Sequence, residues 1–245
     1  MPPIHEYGSW ARRPSDDFEQ VEPLRKYVFI CEGTSTEVHY FEALVDRWGQ
    51  LDHHPLVDIR LWERVGSDRG LSEPLRLIQF AQEQKDDPRL GFDRDHDRMV
   101  VVFDLDIYCR VGEGRVGADE RAKRFGEAVA AAAEQDILAV TNPSFELFLM
   151  LHRQGAFQEI VAPHAAELLE NRKVGHRRYA QVLFTEEFHI NPKSNPGVGQ
   201  FVDLVDVAIE EEGNLNAEME RCLDMLTSNV GRTIRQIRDD VLDLW

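Results

Sequence analysis

Residues 97–108 read "DRMVVVFDLDIY": five consecutive apolar residues, Met99 to Phe103, followed by Asp104-Leu105-Asp106. A short run this rich in β-branched side chains, ending on charge, reads as a strand buried on both faces of a sheet. "KYVFICEG" (26–33) has the same character and runs out into Glu32-Gly33. "LVDIRLWERV" (56–65) alternates Val57, Ile59 and Leu61, as a strand does, and "ILAVTNP" (137–143) supplies a fourth.

Helical periodicity fills the gaps between these strands. "STEVHYFEALVDRWG" spaces Phe41, Leu44, Val45 and Trp48 at helical steps, and Gly49 can end it. "SEPLRLIQFAQEQKD" (72–86) has Pro74 near its start, "DERAKRFGEAVAAAAEQD" (119–136) puts Ala122, Phe125, Val129 and Ala132 on one side, and "SFELFLMLH" resumes a helix after the fourth strand. Strand and helix alternating in this way predict an α/β fold: a mostly parallel four-stranded sheet flanked by helices. Ligands of such sheets sit beyond the carboxyl ends of the strands, and Glu32, Asp104 and Asp106 all fall there.

The sequence divides into a polar, Pro-punctuated N-terminal arm (1–22), an α/β core (23–152) and a C-terminal helical region packed on the core (153–245). In the last, "APHAAELLENRK" and "QFVDLVDVAIEEE" read as helices either side of the breaker-rich "HINPKSNPGVG" (189–199). Residues 216–243 place Met219, Leu223, Leu226, Val230, Ile234, Ile237 and Val241 at three- and four-residue steps. This predicts a terminal helix packed on its own domain, or an apolar stripe offered to a partner.

Bulk composition narrows the classes. With 245 residues, 42% hydrophobic and 30% charged, the chain has an ordinary globular composition. It lacks the ~18 uninterrupted apolar residues of a membrane helix and an apolar signal segment at its start, so a cytoplasmic location is expected. Cys31, Cys109 and Cys222 form no CxxC, which argues against a zinc ribbon or disulfide scaffold. A net charge of −17 disfavours nucleic-acid binding over the whole surface and leaves local basic patches. "NRKVGHRR" (171–178) carries Arg172, Lys173, Arg177 and Arg178 without an acid, and "RVGEGRVGADERAKR" (110–124) has five bases against three acids.

Carboxylates gathered at a sheet edge raise one another's pKa unless a cation lies among them. Their hard oxygens suit Mg²⁺, which takes one or two carboxylates and completes its shell with water and phosphate oxygens. Asp104 and Asp106, two apart, would project the same way in extended backbone. Glu37 lies in the first turn of a helix, where the dipole favours a carboxylate and where it could equally join the site. In "TNPSFE", Asn142 suits an N-cap and Pro143 a first helical residue, while Glu146 one turn in could extend the acidic cluster. His152, His176, His189 and Lys193 are further proton-transfer or leaving-group candidates. No HExxH or similar spacing supports a zinc hydrolase.

"VFICEGTSTE", "VVVFDLDIY" and "TNPSFELFLMLH" together resemble the RloB-like family, with its C-E-G-x-x-T-E strand exit, D-x-D and N-P-x-F-E helix start. The likeness covers roughly residues 26–152, with a weaker echo at "NPKSNPGVGQFVDLV" (191–205). It implies a TOPRIM-type, Rossmann-like fold and Mg²⁺- or Mn²⁺-dependent cutting of phosphodiesters. Glu32 would be metal ligand or general acid/base, and Asp104 and Asp106 the metal ligands. Glu146 is read as a further catalytic residue from its place, because the strand–turn–helix delivers it to the same sheet edge. The resemblance also implies a restriction-associated effector of bacterial anti-phage defence, a toxin of the abortive-infection kind. Its partners would be a nucleic acid (RNA, including tRNA, or DNA), an ATPase and further copies of itself, with no membrane.

Two other readings fit the same residues. The chain could be a non-catalytic TOPRIM-like binding module that regulates an ATPase. "VVVFDLDIY" also resembles the aspartate strand of haloacid-dehalogenase-like phosphatases. In those the strand is normally first and the second Asp is followed by Gly-Thr; here Ile107-Tyr108 follow and the strand is third. No tyrosine is marked as a topoisomerase-like nucleophile, although Tyr40 and Tyr108 lie near the motifs, so hydrolysis is expected over strand passage.

Overall fold

The computed structural model describes residues 23–64, 68, 73–109, 117–193 and 196–240. The expected arm (1–22), residues 110–116 of the second basic stretch, and Val241 lie outside these. The first half of the chain runs β1 (Arg25–Cys31), α1 (Thr36–Arg47), β2 (Val57–Leu61), α2 (Pro74–Gln84), β3 (Arg98–Asp104), α3 (Asp106–Cys109), α4 (Ala118–Ala130), β4 (Ile137–Asn142) and α5 (Phe145–Met150). The second half adds α6 (Ala165–Glu170), β5 (Lys173–Val174), β6 (Arg177–Arg178), α7 (Tyr179–Phe188), α8 (Val205–Glu212), β7 (Thr227–Ser228) and α9 (Val230–Arg238). No helix of the described residues is long and apolar enough to cross a membrane.

β1 to β4 pair in parallel in the order β2-β1-β3-β4, as the alternation of strand and helix requires. Side chains alternate between two cores, and this is why β1 and β3 are apolar throughout. Tyr27, Phe29, Cys31, Val100, Val102 and Ala139 face α1, α5 and the C-terminal elements. Val28, Ile30, Met99, Val101, Phe103, Leu138 and Val140 face α2 and α4.

The sheet has a fifth strand that the periodicity did not reveal. β7 is two residues long and pairs antiparallel with the end of β4, Thr141 opposite Ser228 and Asn142 opposite Thr227. The adjoining Asn229 extends the pairing with its side chain. Its Oδ1 accepts from Val140 N at 2.6 Å and its Nδ2 donates to Leu138 O at 2.9 Å.

These contacts break the single helix expected over 216–243. A 3-10 turn (Met219–Arg221), β7 and α9 stand there instead. Unmet hydrogen bonds along β4 outweigh helical periodicity. Asn142 Nδ2 donates to Cys222 O at 2.7 Å and Met225 O at 3.0 Å, carbonyls a continuous helix would have used itself. Nor are the stripe's described residues open to a partner: Val230, Ile234 and Ile237 are buried, Leu226 packs on the main core, and Met219 and Leu223 pack on the second.

Two further expectations change. Asn142 is the last residue of β4, and Ser144 occupies the N-cap position of α5 without a side-chain capping bond. β3 stops at Asp104 and α3 begins at Asp106, so the extended register expected for that pair ends between them.

Candidate active site

The parallel strands deliver their carboxyl ends to one edge. Beyond β1, Glu32 N donates to Val102 O at 2.8 Å, continuing the ladder by one residue. The Glu32 Oε2 atom then accepts from Asp104 N at 3.0 Å, so the first motif's side chain grips the second motif's backbone. Asp104 Oδ1 accepts from the hydroxyl of Thr141, its register partner on β4, at 2.5 Å. Arg64, buried just past the end of β2, donates to the carbonyls of Glu32 and Gly33 and fixes the turn between β1 and α1.

Two more carboxylates enter from helices. Glu37, in the first turn of α1, is buried, and its Oε2 has no hydrogen-bond partner. Glu146, in the first turn of α5, is also buried, with Lys193 Nζ at 3.4 Å from its Oε1. Lys193 is half-exposed and arrives on the loop after α7.

The electrostatics tie these groups into one cluster. Burial, then the charges of Glu37, Glu32 and Glu146, push the Asp104 carboxyl well up, against the opposing Thr141 hydroxyl. Glu32 is pushed up to about 7, chiefly by burial and then by Glu37 and Asp106, while Asp104 N–H and Arg64 oppose the shift. Burial also raises Glu37; Glu146 adds to this and Lys193 counters it. For Lys193, burial would lower the ammonium pKa, but Glu146, Glu37 and Asp104 outweigh it and hold it above the ordinary lysine value. A cluster so short of positive charge is unfavourable unless protonated or filled by a cation.

Among the described residues, no three His, Cys, Asp or Glu side chains already stand in metal-ligating arrangement. The chemistry of the donors nevertheless suits a hard divalent cation: carboxylate oxygens at a sheet edge, one of them buried and partnerless. Lys193 and Arg64 supply two positive charges against Glu32, Glu37, Asp104 and Glu146.

The structure therefore brings Glu32, Asp104 and Glu146 together, with Asp106 acting on Glu32. It adds Glu37 and Lys193. The histidines go elsewhere. His152 is buried, its Nε2 accepting from Tyr40 Oη at 2.9 Å and its Nδ1 directed at Phe148 O. Burial lowers its pKa to about 4, so it stays neutral. His176 is exposed in the β5–β6 turn, and His189 ends α7 in a left-handed conformation, φ 56°. Burial raises the Tyr40 hydroxyl well above its usual range and Tyr108 to about 12, the opposite of nucleophile activation.

Sequence reasoning passed over Arg64 and Thr141. Both had a signal: β2 and β4 run parallel to β1 and β3, so residues at their exits share the same edge.

These features define a class: an open α/β protein whose carboxylates are concentrated at the carboxyl ends of a largely parallel sheet. Within that class the chain belongs to the RloB-like protein family, whose sequence model matches residues 27–237, well past the region that carries the three motifs. No curated protein and no solved structure matches the chain.

Proposed function

We propose that this chain is a Mg²⁺- or Mn²⁺-dependent nuclease that hydrolyses phosphodiester bonds in RNA or DNA, as a TOPRIM-like effector of anti-phage defence working with a partner ATPase. The observation that carries this reading is the convergence of Glu32, Glu37, Asp104 and Glu146 on one sheet edge, with a buried Glu37 oxygen left partnerless. Glu32, Asp104 and Asp106 would hold the cation. When bound, it would offset charge on the scissile phosphate and activate water for in-line attack. Thr141 and the Asp104 N–H position the first two ligands. Without a cation Glu32 is held up to about 7; a bound cation would favour its charged form and so its role as a ligand. Lys193, 3.4 Å from Glu146, would offset negative charge on a phosphate or leaving oxygen brought to this edge. The defence role, arrest of the cell by cutting its nucleic acid, is part of this proposal and is what the resemblance to the family implies.

The test is cleavage of labelled RNA and DNA by the purified chain with Mg²⁺ or Mn²⁺, alone and with the product of the neighbouring reading frame. Asp104→Ala should abolish cutting, and undiminished cutting by that variant removes the mechanism.

A second reading, a non-catalytic module that regulates an ATPase, is favoured by one observation: Lys193 already places a cation of the chain's own against Glu146. It predicts that protection against phage survives loss of both Asp104 and Asp106.

A further inference from the structure

The basic stretch 171–178 folds into a two-stranded antiparallel hairpin, with Lys173 opposite Arg178 and Val174 opposite Arg177. Gly175 turns it with φ +64°, a conformation glycine adopts without strain. The base is fixed. Asn171 Oδ1 accepts from Ala180 N at 3.0 Å, Tyr179 N donates to Arg172 O at 2.9 Å, and Arg178 Nη1 donates to Asn171 O at 3.3 Å. The tip is exposed from Arg172 to Arg177, and even Val174 is 48% exposed.

On a chain of net charge −17, cations would be expected to be neutralised by neighbouring acids. Arg172 is, by Glu170 at 2.8 Å, an exposed pair. Lys173, Arg177 and Arg178 make no ion pair with any described carboxylate. Lys173 and Arg177 are exposed, Arg178 is half-buried with one N–H given to Asn171 O, and no described carboxylate offsets their charge.

The hairpin is also joined to the carboxylate site by an unbroken run of contacts. Arg177 Nη1 donates to Thr185 Oγ1 at 3.3 Å, and that hydroxyl donates to Gln181 O at 2.7 Å. Gln181 Nε2 donates to Asn191 Oδ1 at 3.5 Å, and the same oxygen accepts Lys193 N at 3.2 Å. Lys193 Nζ then reaches Glu146. Along this route the surface runs from solvent-facing cations to the acidic edge.

We propose that the β5–β6 hairpin is a phosphate-gripping arm, in which Lys173, Arg177 and Arg178 hold the backbone of a nucleic-acid strand so that a neighbouring phosphodiester lies at the carboxylate edge. This rests on the nuclease reading of that edge and names how its substrate is held. Recognition is of phosphate charge, without base contacts, and is therefore tolerant of sequence and strongly salt-dependent.

The experiment is fluorescence anisotropy of fluorescein-labelled single-stranded RNA and DNA with the full chain in EDTA, where cutting cannot occur, between low and moderate salt. Wild type should bind with a steep salt dependence. The double variant Lys173→Ala/Arg177→Ala should bind about tenfold more weakly, with the log–log salt slope flattened by about 1.4 if each residue contacts one phosphate. Arg94→Ala, an exposed arginine in the loop before β3, should change neither. Photo-crosslinking of 4-thiouridine RNA to wild type should map to 171–178, a readout that does not depend on any variant folding. Absence of binding by wild type, unchanged binding by the double variant, or crosslinks confined to other segments would overturn the proposal. So would competition by polyglutamate but not by oligonucleotide, which would mark an acidic protein as the partner. Hairpin-dependent binding without cleavage in Mg²⁺ would remove the nuclease reading and leave the arm. Cleavage and binding indifferent to the double variant would do the reverse.

Discussion

The Glu37 carboxylate lies directly over the α-carbon of Gly33: a Cβ at that glycine would come within 1.8 Å of Glu37 Oε2. The glycine of the Glu32-Gly33 exit thus makes room for an acid four residues later. Gly33→Ala must displace a buried carboxylate, at a cost of about 1–3 kcal/mol by the usual scale of overpacking. On the nuclease reading it should also lose cleavage, because the displaced carboxylate acts on Glu32 and Asp104. Adding Glu37→Ala should recover part of the stability but none of the activity. A thermal-melt double-mutant cycle with no coupling between the two positions would contradict this contact.

The raised pKa of Glu32 carries a stability prediction of definite sign. Its carboxyl titrates at about 7 in the fold against an ordinary 4.5. Between those values the native state binds more protons than the unfolded chain, so stability falls as pH rises. The contribution is fully present below about 4.5 and lost by the time pH passes about 7; Asp104 and Glu37, also raised, act in the same direction. Melting temperature in EDTA should therefore decline from pH 5 to pH 8, and Glu32→Gln should flatten the decline. Mg²⁺ should restore more stability at pH 8 than at pH 5, because at low pH protons hold the sites the cation would take. A Mg²⁺ stabilisation independent of pH would argue against these carboxylates as its ligands.

Thr141 separates positioning from ligation. Its hydroxyl holds Asp104 Oδ1 at 2.5 Å and is itself no metal ligand in the proposed scheme. Thr141→Val keeps the shape and removes the donor. Groups that orient a metal ligand typically matter about 10–100-fold, so cleavage should fall by that order while the melting temperature stays near wild type. The apparent Mg²⁺ requirement should rise, and Thr141→Ser should recover most of both. Wild-type kinetics in Thr141→Val would mean that Asp104 needs no such support.

The parts of this fold legible in the sequence are those dictated by local pattern. Met99–Phe103 and Val28–Cys31 are apolar at every step because each strand feeds two cores, and parallel pairing then sends Glu32 and Asp104 to the same edge. The C-terminal third is dictated by distant partners. Leu226 and Val230 keep helical spacing, yet the unpaired edge of β4 draws Thr227, Ser228 and the Asn229 side chain into the sheet. Asn142 looked like a helix cap and instead anchors the 222–225 loop. Glu37 was ambiguous for a related reason: a first-turn acid is common on exposed helices, and only the three-dimensional approach to Gly33 makes it part of the site. Lys193, 47 residues beyond Glu146, could be assigned only once α7 and its following loop were placed.

Glu212 tests whether that C-terminal third supports the site. This buried carboxylate accepts from Ser228 Oγ at 2.6 Å and Gly231 N at 2.9 Å through Oε1, and from Arg232 N at 2.7 Å through Oε2. It thereby joins the end of α8 to β7 and caps the first turn of α9. Burial pushes its pKa up, while those donors hold the charged form in place. Glu212→Ala leaves the buried Ser228 hydroxyl and the Gly231 N–H without their acceptor, for which a loss of about 2–4 kcal/mol is the expected scale. Glu212→Gln keeps an oxygen but turns an amide toward a backbone donor, so it should also destabilise, by less. Because Ser228 lies opposite Thr141 in the sheet, loosening β7 frees the strand that positions Asp104. Urea unfolding of the full chain should show the stability loss, and cleavage by Glu212→Ala should fall even at temperatures where the variant is fully folded. A variant that is destabilised yet cuts normally would confine Glu212 to packing and detach β7 from the chemistry of the edge.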